Sequence, residues 1–161
     1  MTASFRPEVL ILDVDGVLTD GKIYYGQNGK MFKVFGADDN EALAHLNKFM
    51  DIHVVTADFR GFPITAKRVA DDMNLKLDLV SAAERPDWVE KKYSSKRSVY
   101  MGDGLHDWKV FRKVDYGIAP ANAHDQTLQN ADFVTLRRGA EGAVAEACDH
   151  ILRSFFPNEF N

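Results

Sequence analysis

The stretch Leu10-Ile-Leu-Asp-Val-Asp-Gly-Val-Leu-Thr19 sets two carboxylates directly behind an apolar run that begins at Val9, and a glycine directly behind the carboxylates. A short run of bulky aliphatics bounded by a turn residue reads as a strand buried on both faces, the kind found in parallel sheets. Such a strand delivers the residues after it to the carboxyl end of the sheet, where open α/β folds hold their ligands. Side chains two apart on extended chain project to the same side, so Asp13 and Asp15 converge on one small volume. Two acids there repel unless a cation or a shared proton intervenes. The same residue types also make an ordinary polar strand end and turn, and this stretch by itself leaves both readings open.

The rest of the chain alternates strands with helices. Residues 22–35 carry aromatic and β-branched side chains on either side of Asn28-Gly29, the dipeptide that suits a two-residue type I′ turn, and predict a projecting β-hairpin. Its aromatics, Tyr24, Tyr25, Phe32 and Phe35, exceed what a lone hairpin buries, so it is expected to pack against something else. Apolar residues at helical spacing predict helices over 39–50, 63–73, 86–93, 107–114 and 141–155, with a short one near 124–129. Strands are expected at 52–55, 77–80, 98–101, 116–119 and 133–136. That alternation predicts an α/β fold: a Rossmann-like parallel sheet with helices on both faces and the hairpin in place of a cap domain. With 161 residues and no linker or repeat, residues 1–161 are expected to form one domain.

Composition narrows the partners. Lysine and arginine number 20 against 24 acids, a formal charge of −4, which gives no basic surface for nucleic acid or an anionic membrane. The first eight residues hold no apolar core of signal-peptide length, and no apolar run approaches the roughly 20 residues that span a bilayer. One cysteine, Cys148, allows no internal disulfide and suits a reducing, cytoplasmic setting.

Three strand ends carry chemistry together. The first ends in Asp13 and Asp15, the next in Thr56, and another in Gly102-Asp103-Gly104-Leu105-His106-Asp107. Parallel neighbours lie about 5 Å apart, so their carboxyl ends can gather these residues around one crevice. Oxygen ligands without cysteine suit a hard cation, Mg²⁺ before Zn²⁺, and a hydroxyl with glycine-freed amides suits phosphoryl oxygens.

Asp13-Val-Asp-Gly-Val-Leu-Thr19, the strand-end Thr56 and Gly-Asp-x-x-x-Asp at 102–107 resemble the motifs of the haloacid dehalogenase superfamily of phosphotransferases. The short insert at 22–35 is similar to its capless branch. Within that branch, residues 13–35 and 139–152 resemble the 3-deoxy-D-manno-octulosonate 8-phosphate phosphatases and related sugar-acid phosphatases. The resemblance implies a nucleophile at Asp13 and a general acid and base at Asp15. It also implies Mg²⁺ held by Asp13, the Asp15 carbonyl and Asp103 with support from Asp107, and phosphate bound by Thr56 and the Ala57 amide. A homotetramer is implied as well, built through the hairpin, with neighbours closing each other's sites.

The chain departs from that pattern at charged positions. A lysine is expected at the helix start where Ala83-Glu84-Arg85-Pro86 stands, so Arg85 is the candidate for its charge, although a planar guanidinium does not reproduce a compact ammonium. Arg-Asp-Gly becomes Asp38-Asp39-Asn40, and an arginine in the tail loop becomes Glu141. Both changes remove positive charge that would meet a sugar acid; Arg60, Arg137 and Arg138 are the candidate compensators, Arg60 being counted among the phosphate- or substrate-binding residues. The expected function is a Mg²⁺-dependent phosphomonoesterase for a small sugar or sugar-acid phosphate. The alternative, motivated by the missing lysine, is a binding or regulatory protein on the same fold. His106 suits either substrate contact or solvent; His45, His53, His124 and His150 lack ligand spacing. Cys148, Trp88 and Trp108 read as packing residues. Phe155, Phe156 and Phe160 read as docking on their own subunit, with a neighbour's active-site rim as the alternative.

Overall fold

The computed structural model describes residues 5–159. Strand β1 (Val9–Leu12) is buried at every position, as its aliphatic run requires. It lies inside a six-stranded, all-parallel sheet with β4 (Asp51–Thr56) on one side and β6 (Ser98–Met101) on the other. Beyond β4 comes β5 (Lys76–Leu79), and beyond β6 come β7 (Tyr116–Ala119) and β8 (Phe133–Val134), giving the order β5-β4-β1-β6-β7-β8.

Strand alternation sorts the core into two layers. Leu10, Leu12, Val99 and Met101 face α1 (Ala37–Leu46) and α6 (Ala143–Phe155), together with Val69 of the helix that follows β4. Val9, Ile11 and Tyr100 face the opposite layer, α3 (Arg85–Tyr93) and α4 (Asp107–Phe111), with α5 (Asp125–Asn130) at its margin. Each large aliphatic side chain buried this way contributes roughly 1.5–3 kcal/mol. Phe156 is fully buried against Phe49, and Phe155 packs edge-on to Phe5 and Tyr116, so these two dock on their own chain. Phe160 lies outside the described residues. Cys148 is buried in the α6 layer, and burial pushes its thiol up.

Several boundaries differ from expectation. The helix after β4 is α2 (Phe62–Ala66), continued over Lys67–Asp72 by a wider π-helical stretch. The last helix begins two residues late, because Gly142 takes φ +98° at its N-cap. The hairpin is longer than residues 22–35: β2 (Thr19–Gly26) pairs antiparallel with β3 (Gly29–Phe35), the arms starting as soon as the Asp13–Asp15 turn is complete. Its turn is Gln27-Asn28, and only Gly29 has positive φ; the expected type I′ turn, which needs it at both central residues, does not form. Of the hairpin aromatics only Phe35 packs on the core; Tyr24, Tyr25 and Phe32 remain exposed.

Candidate active site

The chain runs from β1 outward through β4 to β5, then returns across β1 to build β6, β7 and β8. The sheet therefore reverses its winding between β4–β1 and β6, and a crevice opens at the carboxyl ends of β1 and β6, the place where such folds bind ligands. A cavity of about 500 Å³ lies there, bordered by Asp13, Asp15, Arg85 and Asp107. A second cavity, of about 530 Å³, opens at the other end of the strands, but its charges are consumed in pairs such as Lys96–Asp51 and Arg97–Glu8.

Asp13 continues β1 by one residue, its N–H donating to the Met101 carbonyl of β6 at 3.0 Å. Gly16 then turns the chain at φ +85°; a Cβ there would sit 1.8 Å from an Asp103 carboxylate oxygen, so only glycine lets the two loops close on each other. Asn122 clamps the turn, donating to the Gly16 carbonyl at 2.9 Å and accepting from the Gly139 N–H at 2.7 Å. Asp103 follows β6, its carbonyl fixed by the His124 N–H at 2.8 Å. Asp107 opens α4 with both oxygens occupied: the Tyr100 hydroxyl donates to Oδ1 and the Gly104 N–H to Oδ2, each at 2.8 Å.

Arg85 stands at the start of α3, where Pro86 fits the first turn. It is 2% exposed and reaches under the carboxylates, Nη1 lying 3.0 Å from Asp13 Oδ2 and 3.6 Å from Asp107 Oδ1 while donating to Tyr100 at 2.9 Å. Burial works against its charge, but Tyr100, Asp13 and Asp107 outweigh it and raise the guanidinium pKa.

The other wall comes from the hairpin, to which the sequence assigns assembly alone. Lys33 of β3 extends its ammonium inward, with a fully buried side chain, to Asp15 at 2.8 Å and Asp58 at 2.8 Å, and donates to the Thr65 hydroxyl at 3.1 Å. Lys30 also pairs with Asp58. Burial opposes ionisation of Asp58, yet hydrogen bonds from Lys30, Lys33 and the Gly61 N–H hold its carboxyl down to about 2. Sequence reasoning misses Lys33, Asp58 and Tyr100. The available signal is Lys33 sharing the inward face of β3 with Phe35, two residues on.

The structure thus brings together Asp13, Asp15, Arg85, Asp103 and Asp107, with Ala57 and His106 on the cavity wall. Thr56, at the end of β4, is fully buried, and its hydroxyl accepts the Asp58 N–H at 3.2 Å. Arg60 does not join them: it lies exposed on the loop after β4, outside the cavity lining. Asp38 and Glu141, which stand where the resemblance implies arginines, are exposed and outside the cavity lining, and Asp39 beside the first accepts the Ala145 N–H of α6 at 3.0 Å. His53, between Tyr93 and Asp78, and His150, stacked on Phe133, serve packing away from the cavity.

Oxygens of Asp13, Asp103 and Asp107 come within 4.8 Å of one another, and all belong to carboxylates. Burial, partly countered by Arg85, pushes the Asp13 carboxyl up to about 6. Burial and the neighbouring charges of Asp13 and Asp107 push Asp103 up to about 8. Converging acids that resist ionisation are relieved by a divalent cation, and an all-oxygen donor set fits a hard one.

Residues 88–147 match the family model described as haloacid dehalogenase-like hydrolase. The 3-deoxy-D-manno-octulosonate 8-phosphate phosphatase of Salmonella typhi is 34% identical over 162 residues, covering 94% of this chain and 82% of the relative. The solved structure of the Yersinia pestis enzyme of that name superposes with a TM-score of 0.78 at 29% identity, covering 93% and 83% of the two chains. The Moraxella catarrhalis enzyme, solved with magnesium, phosphate and KDO, superposes with a TM-score of 0.81 at 28% identity, covering 96% and 89%. The chain belongs to the haloacid dehalogenase-like hydrolases, and its 3-deoxy-D-manno-octulosonate 8-phosphate phosphatase relatives match it along nearly its whole length.

Proposed function

We propose that this hydrolase is a Mg²⁺-dependent phosphomonoesterase for a small phosphorylated sugar or sugar acid. The observation that carries this reading is the convergence of Asp13, Asp103 and Asp107 on one point at the switch of the sheet, with Arg85 beneath them. The relatives' activity toward a sugar-acid phosphate supports the substrate class.

Asp13 is the nucleophile in this reading. Its carboxylate oxygen forms a bond to phosphorus as the bond to the sugar oxygen breaks, giving an aspartyl phosphate. Asp15 gives its proton to the departing oxygen, then takes one from a water that attacks the phosphorus, freeing inorganic phosphate and restoring Asp13. Arg85 balances charge behind Asp13, and Asp107, held by Tyr100 and Gly104, keeps the acidic cluster in register. Ala57 lines the cavity where its amide would meet the phosphate, and Thr56 is buried behind it, holding the loop by accepting the Asp58 N–H. Mg²⁺ held by Asp13, Asp103 and the Asp15 carbonyl, with Asp107 behind, would neutralise the phosphate and the carboxylates together.

The missing lysine is the ground for the binding-protein alternative. Arg85 occupies the place of that charge, which removes the reason for preferring it. The exposed Tyr24, Tyr25, Met31 and Phe32 of the hairpin form an apolar surface suited to assembly, and a homotetramer is the arrangement we propose. The single buried cysteine suits a cytoplasmic location; no described helix is long and apolar enough to cross a membrane.

Phosphate release from a panel of sugar and sugar-acid phosphates, with Mg²⁺ and with chelator, tests the reading. Metal-dependent release that disappears in a folded Asp13→Asn variant is expected. Activity persisting in that variant would exclude Asp13 as nucleophile.

A further inference from the structure

Lys33 lies outside the motif residues, on the strand of the hairpin that returns toward the core. Its ammonium has three donors, and the structure gives it three side-chain partners: Asp15, Asp58 and the Thr65 hydroxyl, all within 3.1 Å. These belong to the turn after β1, the loop after β4, and α2. None of the three donors is left over for a substrate. The geometry points to Lys33 as a positioning residue for Asp15, one that fixes the carboxyl group facing the scissile oxygen. This rests on the phosphatase reading above.

The physical argument is one of freedom. The Asp15 side chain is 26% exposed to the cavity, and Lys33 is the cation that ties it to the wall. Asp58 does not depend on that cation alone, because Lys30 pairs with it as well. Without Lys33, Asp58 keeps Lys30, whereas Asp15 loses its anchor and turns to cavity water. Proton transfer depends on hydrogen-bond reach to the leaving oxygen, so a wandering carboxyl loses catalysis without losing substrate affinity. The hairpin is thereby part of the site's architecture within a single chain.

Leaving-group chemistry distinguishes this role from a merely structural one. Departure of an alkoxide from a sugar phosphate needs the acid; departure of p-nitrophenolate, a weak base, does not. Lys33→Met is expected to lower kcat/KM for the best sugar phosphate of the panel by about 10²-fold, the scale of general-acid catalysis. For p-nitrophenyl phosphate the loss should stay within about fivefold, with KM little changed for either substrate. Lys33→Arg, which keeps a cation there, should recover part of the selective loss. An independent arm uses the Lys33 ammonium resonance in ¹H–¹⁵N spectra, assigned through Lys33→Arg; it should move in Asp15→Asn, and this holds even if Lys33→Met fails to fold. Equal losses on both substrates, no loss at all, or a resonance that ignores Asp15→Asn would overturn the proposal while leaving the phosphatase reading intact. Absence of metal-dependent release from either substrate by the unmodified protein would sink the phosphatase reading itself, and this one with it.

Discussion

Arg85 Nη1 lies 3.0 Å from Asp13 Oδ2, closing the floor of the cavity with a guanidinium where the resemblance implies an ammonium. Nη1 carries the site contacts of Arg85, while its Nε is buried with no hydrogen-bond partner among the described residues. Its Nη1 also donates to Tyr100, whose hydroxyl in turn donates to Asp107. One nitrogen therefore holds Asp13 directly and Asp107 through a buried phenol.

Arg85→Lys is expected to keep the charge but lose the bond to Tyr100, lowering kcat/KM about tenfold. Arg85→Ala should lower it by about 10²–10³-fold, the scale of a lost electrostatic stabiliser. It should also cost about 3–5 kcal/mol in urea unfolding, because Asp107 and Asp13 are left buried without their cation. Full activity in Arg85→Ala would mean that the charge is supplied from elsewhere.

Metal binding should compete with protons at Asp103. Its folded pKa of about 8 stands above the ordinary carboxyl value, so the stability attached to that proton is present at low pH and is lost as pH rises through 8. A cation requires the ionised form, so apparent Mg²⁺ affinity should rise about tenfold per pH unit between about 6 and 8, more steeply below 6 where Asp13 also takes a proton, and level off above 8. At a hundred times its dissociation constant, Mg²⁺ adds about 2.7 kcal/mol of stability and should raise Tm by roughly 5–10 °C. Asp103→Asn should abolish the rise, as read by calorimetry at several pH values.

Asp39 offers a gain in stability away from the site. Burial pushes its carboxyl up to about 6, the Ala145 N–H countering only in part, and Oδ2 has no partner. A raised carboxyl contributes its full share below the unfolded value near 4 and loses it as pH climbs through about 6. Asp39→Asn can keep the bond to Ala145 without the charge. It should be about 1 kcal/mol more stable at pH 7.5, a Tm increase of roughly 2–4 °C, with the difference vanishing below pH 4. An unchanged Tm at pH 7.5 would show that Asp39 is ionised at no cost.

The hairpin surface should govern assembly. Replacing Tyr24 and Phe32, cross-strand partners both more than half exposed, with serine removes apolar area from that face without touching Lys33. Light scattering should report a smaller species than the unmodified protein. An identical mass for both would place the subunit contact elsewhere.

Local chemistry was enough to read β1, its two carboxylates, the glycine behind them and the second acidic loop at Asp103 and Asp107. Each rests on neighbours in sequence: an aliphatic run buries itself, a glycine turns, and the parallel alternation forces the strand ends together. Arg85 came from the resemblance instead, which implies a cation at that helix start. What sequence alone left undecided is how segments far apart in the chain meet. Alternation with Phe35 gives the face of Lys33, but its partners depend on the hairpin folding back over the loop after β4 and over α2, which no pattern within residues 19–35 encodes. Asp38 reads in sequence as a charge facing substrate, and the placement of α1 leaves it exposed outside the cavity lining. Arg60 had the right charge at the right strand end, but a side chain's direction on a loop is set by what the loop packs against. Strand periodicity and turn chemistry are short-range and survive in the sequence; ion pairs between segments exist only once the sheet has brought them within about 3 Å.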